Sequence, residues 1–478
     1  MKFVFVNVRV DDRRLPPLGI AYIAAYLRKR EIDVSIIDPT PKQLPVFDYI
    51  KEIVKQKPDV IGFFTTGVNM KKVKEVQRLL KKENINAPIV LGGPQVTVSP
   101  NDFDFDYAVI GEGEITAYEL TKVLKGSLKK EEVNGLAYYE NKKLIINKPR
   151  KLIKDLDILP LPARNLFNLN WYFQNDSIIR GTWGRGTSVL WSRGCPYNCL
   201  FCVSRNVFGR SMRLRSPKLI VDEIQQLKKK YGIKIFYVLD DILNINQEWT
   251  NEICNELIRR KLNIKWSCQI RVDRVNPEIL KKMKEAGCLE LEFGCESGSQ
   301  KVLNAIRKGT TVFQIEEAFQ MARQAGIKTL AYFMIGNPEE DYEDIKKTIE
   351  LAKKIKADYY EFSISTPYPG SDLWKLAKKN GWLKDGSYSS AFHSGDRALP
   401  IMEINFKIDE LLKIKAYLLN QFRNRYLAQF LSQPLFVWDL IKVLILSPLT
   451  TLKIIKNVLK RDIVAAAWCF FHQQRLWE

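Results

Sequence analysis

Histidine is almost missing from this sequence: two residues in 478, the first at position 393. No imidazole is therefore available to complete a metal site ahead of that point. Long apolar runs are missing too. A bilayer span takes roughly 20 consecutive apolar residues, and the apolar stretches near the C-terminus are broken by Lys442, Pro448, Lys453, Lys456, Lys460, Arg461 and Asp462. The opening, Met1-Lys-Phe-Val-Phe-Val-Asn7, reads as a buried strand and not as a leader peptide. A disulfide framework is absent: Cys254, Cys268, Cys288, Cys295 and Cys469 are scattered in apolar or strand-like surroundings. They read as core residues of a protein in a reducing compartment, the cytoplasm. Acidic residues are in deficit, 54 against 75 Lys and Arg, for a net charge of +21. That balance invites nucleic acid as a partner. However, Lys71–Lys82 and Lys346–Lys356 alternate in charge as solvated helix faces do. An anionic membrane surface accounts for the charge equally well, which would place the protein on the inner face of the membrane, and nucleic acid is set lower.

The length calls for two or three domains, and 46% hydrophobic residues suffice for their cores. The most informative stretch is Trp191-Ser-Arg-Gly-Cys195-Pro-Tyr-Asn-Cys199-Leu-Phe-Cys202. Three thiolates in one turn can hold three irons of a [4Fe–4S] cube, whereas a cluster held wholly by protein takes four. Zinc competes for such a loop, but structural zinc sites are closed by four ligands and no fourth Cys or His lies near. The loop follows the strand-like Thr187–Trp191, and strand C-terminal ends are where parallel α/β folds place chemistry. Here the chain resembles the radical S-adenosylmethionine (SAM) enzymes, marked by C-x3-C-x-aromatic-C after the first barrel strand. The resemblance implies that Cys195, Cys199 and Cys202 hold the cluster beside Phe201. It implies that SAM chelates the open iron and that an electron from the cluster cleaves SAM to a 5′-deoxyadenosyl radical. A small reductant protein, flavodoxin or ferredoxin, would supply that electron.

Residues 1–125 alternate strand and helix, with strands at Phe3–Val8, Val34–Ile37, Val60–Phe64, Ile89–Leu91 and Tyr107–Ile110. Such alternation predicts a parallel sheet covered on both faces. Its strand ends carry Thr65-Thr66-Gly67, Gly92-Gly93-Pro94 and Gly111-Glu112-Gly113-Glu114. Glycine there lets a large planar or phosphorylated ligand approach the backbone. With Pro16-Pro17-Leu18-Gly19, these pieces resemble the flavodoxin-like cobalamin-binding domain that precedes many radical SAM barrels. The resemblance implies bound cobalamin, held near Thr65, Thr66, Gly92, Gly93 and Glu112. The family's D-x-H-x-x-G cobalt-ligand motif is missing, which leaves a docking domain as the competing reading. Residues 126–186 are expected to form a hairpin and a connector through Asp155-Leu-Asp-Ile-Leu-Pro160-Leu-Pro162.

Residues 187–395 give six β/α units, a partial TIM-type (β/α)6 barrel with a lateral opening. Asp240 and Asp241 end its second strand and suit ribose or the SAM ammonium, or else helix capping. Arg271 ends the third and suits the SAM carboxylate or a substrate anion, or else an interstrand ion pair. Glu296, Ser297 and Gly298 resemble the family's G-x-E-S-G segment, which implies that Glu296 meets the amino group or ribose and that Gly298 clears space. Gly336 and Pro338 resemble G-x-P-x-E, which implies an adenine seat. Tyr368 is expected at the substrate opening, as a radical relay or a packing aromatic. From 396 to 478 the chain reads as helical: Ile408–Arg423, then Pro434–Pro448, Leu452–Lys460 and Ile463–Phe471. These form either a cap on the barrel or an interfacial membrane helix. The leading expectation is radical methylation of an unactivated carbon on a hydrophobic substrate, such as a lipid, tetrapyrrole or polyketide. Oxidative cyclisation, tRNA modification and a cobalamin or iron–sulfur sensor are the alternatives. Against tRNA modification, the N-terminal region lacks the three cysteines of the methylthiotransferases.

Overall fold

The computed structural model describes residues 1–8, 15–38, 45–173, 175–384 and 401–431. Two sheets organise it. The first contains β1 (Lys2–Val6), β2 (Asp33–Ile37), β3 (Val60–Phe64), β4 (Ile89–Gly92), β5 (Tyr107–Val109), β6 (Leu136–Glu140) and β7 (Lys143–Ile146). Their order is β2-β1-β3-β4-β5-β6-β7, parallel through β5. Strand β1 shows why the sequence runs apolar without a break. Phe3 and Phe5 bury against the side carrying helices Leu18–Arg28 and Glu114–Leu124, and Val4 and Val6 against the side carrying Val46–Gln56 and Met70–Lys82. A parallel sheet covered on both faces demands that pattern.

The hairpin expected in the connector is instead the edge of this sheet: β6 pairs antiparallel with β5, and β7 with β6. Asn141 and Lys142 take left-handed backbone, φ 48° and 64°, the tight turn that matches strand twist.

The second sheet contains β8 (Asn175–Ile179), β9 (Thr182–Val189), β12 (Ile235–Val238), β13 (Lys265–Ile270), β14 (Cys288–Glu296), β15 (Lys328–Ile335) and β16 (Tyr359–Ile364). Six are parallel in sequence order, and β8 adds an antiparallel strand at the β9 edge. This β8–β9 hairpin, which the pattern of residues 175–186 did not announce, makes seven strands where six were expected. Two-residue strands β10 (Ser192–Arg193) and β11 (Arg213–Leu214) pair outside the sheet. Helix Ile408–Leu431 lies on β16, with the Phe422 ring 4.2 Å from that of Tyr360.

The strand C-terminal ends of the two sheets face each other. Helix Pro94–Val98, after β4, packs on helix Ser204–Phe208, just after the cysteines. Asn206 donates to the Gly370 carbonyl at 2.7 Å, and Val98 fills the space beside Gly370. Val68 from beyond β3 joins Tyr368, Trp374 and Leu383 around Ile401. Among the described residues no helix is long and apolar enough to cross a membrane. The apolar stretches expected over Pro434–Phe471 lie outside the described residues.

Candidate active site

The cysteines occupy a loop closed at its base by β10 and β11. Gly194 enters it at φ +96°, and a Cβ there would sit 2.3 Å from the Ser211 carbonyl oxygen. The loop is fastened to its neighbours: Leu200 N–H donates to Ile306 O and Leu373 N–H to Leu200 O, both at 2.9 Å. Cys195, Cys199 and Cys202 are free and half-buried. Burial pushes the Cys202 thiol up to about 11 and raises Cys195 as well, and the neighbouring Cys199 adds to the rise at both. Thiols so placed become thiolates only beside a strong cation, as on iron. Among the described residues no three His, Cys, Asp or Glu side chains converge on a single ion. A cube places each thiolate on a separate iron and does not require that convergence. The donor set therefore fits a cluster. Phe201 packs half-buried against the core beside the loop.

The barrel strand ends sort the expected residues into two groups. Asp241 stays beside the thiols, accepting from the Ser204 hydroxyl, and burial raises its carboxyl. Arg271 stacks on Tyr197, 3.5 Å from guanidinium carbon to ring centre, and donates to Asp273 at 2.8 Å and to the Lys308 carbonyl at 3.0 Å. Glu296 takes left-handed backbone, φ 66°, and accepts from the buried Lys308 ammonium at 2.7 Å. Gly294 makes room for this pair, since a Cβ there would lie 2.6 Å from both partners.

The second group is turned to support. Asp240, 1% exposed, accepts from Trp191 N–H at 2.8 Å and the Ser192 hydroxyl at 2.5 Å, so it braces the cysteine loop from behind. Ser297 bonds Thr348 at 3.2 Å. The space that Gly298 clears is for helix Tyr342–Ile355, because its Cβ would meet the Lys347 carbonyl at 2.3 Å. The Gly336 N–H is taken by Glu340 at 2.5 Å, and Pro338 is buried behind it.

Facing this site, the first sheet offers backbone. Thr65 donates to Gly92 O at 2.9 Å and accepts from Val96 N–H at 3.1 Å. Thr97 donates to Gly93 O at 2.9 Å and accepts from Gly111 N–H at 3.1 Å. Two hydroxyls thus fix three strand ends. Thr66 closes a turn with Asn69 through a 2.8 Å bond from its own N–H. Gly93, φ 104°, admits no side chain, with Thr65 O 2.6 Å from a Cβ. At Gly92 and Gly111 a Cβ would meet nothing within 4 Å, so both border open space. A cavity of about 200 Å³ runs from Gly111 to Arg205 and Asn206. That cavity is bounded by Asn147, Pro149 and Leu152 and is separate from the open space at Gly92, where the bare backbone of a glycine cradle lets a planar ligand approach. Thr65 and Glu112 depart from the expected ligand contacts: Thr65 spends its hydroxyl internally, and Glu112 is buried against Arg193 and Arg213.

Residues 6–121 match the B12 binding domain model, and residues 189–352 match the Radical SAM superfamily model. The chain is 37% identical over 380 residues to the uncharacterized methyltransferase PH0819 of Pyrococcus horikoshii, covering 78% of this chain and 81% of that protein. The chain belongs to the cobalamin-dependent radical SAM enzymes. It is also similar to the anaerobic magnesium-protoporphyrin IX monomethyl ester cyclase of Rubrivivax gelatinosus, 30% identical over 375 residues, 75% of this chain and 66% of the cyclase. Its fold matches that of the methyltransferase TsrM from Kitasatospora setae, solved with cobalamin and a [4Fe–4S] cluster bound, at TM-score 0.68 and 18% identity, covering 80% of this chain and 76% of that one.

As a radical SAM enzyme of this family it uses a [4Fe–4S] cluster, SAM and cobalamin, and it depends on an electron donor. Two features of this member escaped the motifs. Lys308 follows Glu296 by twelve positions across a helix, and only the vacancy at Gly294 hints that a side chain must enter there. Thr97 sits in an ordinary-looking Val-Thr-Val run, although it ties two glycine-rich ends together.

Proposed function

We propose that this enzyme methylates an unactivated carbon of a bulky, mainly apolar substrate. The observation that carries the proposal is the apposition of the two strand-end faces, with helix Pro94–Val98 seated on helix Ser204–Phe208. One chamber then serves both methyl source and radical source, and holding reactants together supplies much of a rate. When bound, the cluster and SAM supply a hydrogen-abstracting radical, and cobalamin carries the methyl group. The chain's own residues do the positioning. Cys195, Cys199 and Cys202 hold the cluster. Glu296 accepts from the SAM ammonium, while Lys308 and Arg271 donate to its carboxylate. Asp241 takes a ribose hydroxyl, Phe201 lies against the cofactor, and backbone around Gly336 and Pro338 borders adenine. Gly92, Gly93 and Gly111 leave room for the corrin.

Tyr368, Val68, Trp374 and Leu383 pack around Ile401 between the two sheets, and this apolar cluster supports a lipid, tetrapyrrole or polyketide-like substrate. An acidic flavodoxin or ferredoxin serves as donor to this cationic protein. The seven free described cysteines support a reducing, cytoplasmic location.

The test is anaerobic reconstitution with iron, sulfide and cobalamin, followed by turnover with methyl-deuterated SAM on extracts of hydrophobic metabolites. A product carrying the labelled methyl supports the proposal. A product that has only lost two hydrogens replaces methylation with cyclisation.

A further inference from the structure

The two halves of the chamber are joined by a buried charged quartet of Glu112, Glu114, Arg193 and Arg213. Glu112 follows cradle residue Gly111, and Glu114 opens the next helix. Both carboxylates are buried against Arg193, which donates to Glu112 at 3.0 Å and to Glu114 at 2.6 Å. Arg213 donates to Glu112 at 2.7 Å, to Ile153 O at 2.9 Å and to Phe208 O at 2.7 Å. The second Glu112 oxygen accepts from Ile153 N–H at 2.9 Å. Arg193 and Arg213 face each other across β10 and β11, the clasp at the base of the cysteine loop. Arg193 is two residues from Cys195.

Both Glu112 oxygens and the two terminal nitrogens of each guanidinium are engaged, and truncating one member leaves an uncompensated buried charge. The quartet therefore resists sliding, and a displacement of the Gly111–Glu112 turn must move the clasp. The 200 Å³ cavity places Gly111 and Glu112 on one wall and Arg205–Gly209, the segment after the cysteines, on the other. A ligand that displaces the Gly111–Glu112 turn from the cradle side therefore acts on the clasp through Arg193 and Arg213.

We infer that Glu112 and Arg193 are positioning residues that couple occupancy of the glycine cradle to the geometry of the cysteine loop. The inference rests on the assignments of cradle and loop proposed above. It treats the Gly-Glu-Gly-Glu segment as a mechanical link, with no contact to cobalamin of its own. By reciprocity, the loop in its cluster-bound shape favours the occupied cradle by the same factor.

The test uses the full chain without iron. Alkylation of Cys195, Cys199 and Cys202 is followed peptide by peptide, with and without saturating hydroxocobalamin, whose binding is measured separately. In the wild type, cobalamin changes the alkylation rate by about fivefold or more. Arg193→Lys keeps the charge but loses the fork that spans two carboxylates, so it binds cobalamin while the rate ratio falls toward one. Glu112→Asp restores part of the ratio when compared with Glu112→Gln. Glu292→Gln is the control: it breaks the buried Arg180–Glu292 pair on the barrel strands, which has no bond to the quartet or to β10 and β11, and lowers the melting temperature without changing the ratio. A wild-type ratio of one with cobalamin bound overturns the coupling. So does an Arg193→Lys protein with the wild-type ratio, since the corrin would then be shielding the thiols directly. Failure of the wild type to bind cobalamin removes the cradle assignment itself, and the coupling with it.

Discussion

The two strand-end faces that meet in this protein are built by opposite means. The first-sheet edge is almost bare of working side chains: Thr65 and Thr97 are consumed in bracing backbone, and Gly92 and Gly111 border empty space. The barrel edge is crowded with charge, with Arg271, Glu296, Lys308 and Asp241 ranged beside three thiols. A large rigid ligand is recognised by shape and by many weak contacts, so clearing space is enough. A small zwitterion such as SAM is recognised by a few charge-assisted bonds, which must be aimed. On the proposed assignment, this difference accounts for a first sheet without a D-x-H-x-x-G motif facing a barrel that carries the buried Glu296–Lys308 pair.

The sharpest break in the comparison is Cys199→Ala. It should reduce 5′-deoxyadenosine to background and abolish cluster iron, while cobalamin binding to the other face persists; iron analysis and a cobalamin titration check both halves. Next is Lys308→Met. It removes hydrogen bonds to a charged group worth about 1.5–3 kcal/mol, so SAM affinity should fall roughly 10- to 100-fold. It also strands Glu296 in a buried site, and an unchanged SAM dissociation constant would remove Lys308 from the pocket.

One substitution made on both faces gives the cleanest contrast. Gly298→Ala drives a Cβ to 2.3 Å from the Lys347 carbonyl. It should cost about 1–3 kcal/mol of stability in denaturant melts. Gly92→Ala meets no atom within 4 Å, so stability should stay within about 0.5 kcal/mol. Cobalamin affinity should nevertheless drop at least about tenfold.

The last prediction concerns the floor of the barrel. There Arg180 faces Glu290 and Glu292, both at 3.1 Å. One guanidinium serves two buried carboxylates, and burial pushes Glu290 up to about 7 from the usual 4.5, outweighing Arg180. The folded chain then holds a proton that the unfolded chain has released. Stability should fall as pH rises from about 4.5 to about 7 and flatten above. Glu290→Gln should lose that slope in thermal melts taken across this range.

How much of this was legible in the sequence follows the same division. Strand periodicity and glycine-rich ends disclose the first sheet because burial on both faces forces continuous apolar runs such as Phe3–Val6. The cysteine spacing discloses the loop because iron dictates it. Side-chain direction is what the sequence withholds. Asp240 and Asp241 are neighbours, yet the chain leaving β12 after Val238 sets one behind the loop and the other toward the thiols. Gly298 sits in a motif read as clearing a cofactor, but the atom it avoids belongs to a helix fifty residues later in the chain. Glu112 carries a charge suited to a ligand, and only the fold brings Arg193 and Arg213 to claim it. The β8–β9 hairpin was hidden because its turn lacks a strong signal beyond Gly181, and the C-terminal residues after Leu431 lie outside the description.

The central claim is that the two faces form one chamber. Cob(II)alamin and the reduced cluster each carry an unpaired electron, so their magnetic interaction reads the separation directly. We would measure the electron-spin relaxation of cob(II)alamin in the reconstituted protein, with and without reduction of the cluster, and in Cys199→Ala. Relaxation accelerated by the reduced cluster, and lost in the variant, is the predicted result. Relaxation identical in all three samples would contradict a shared chamber.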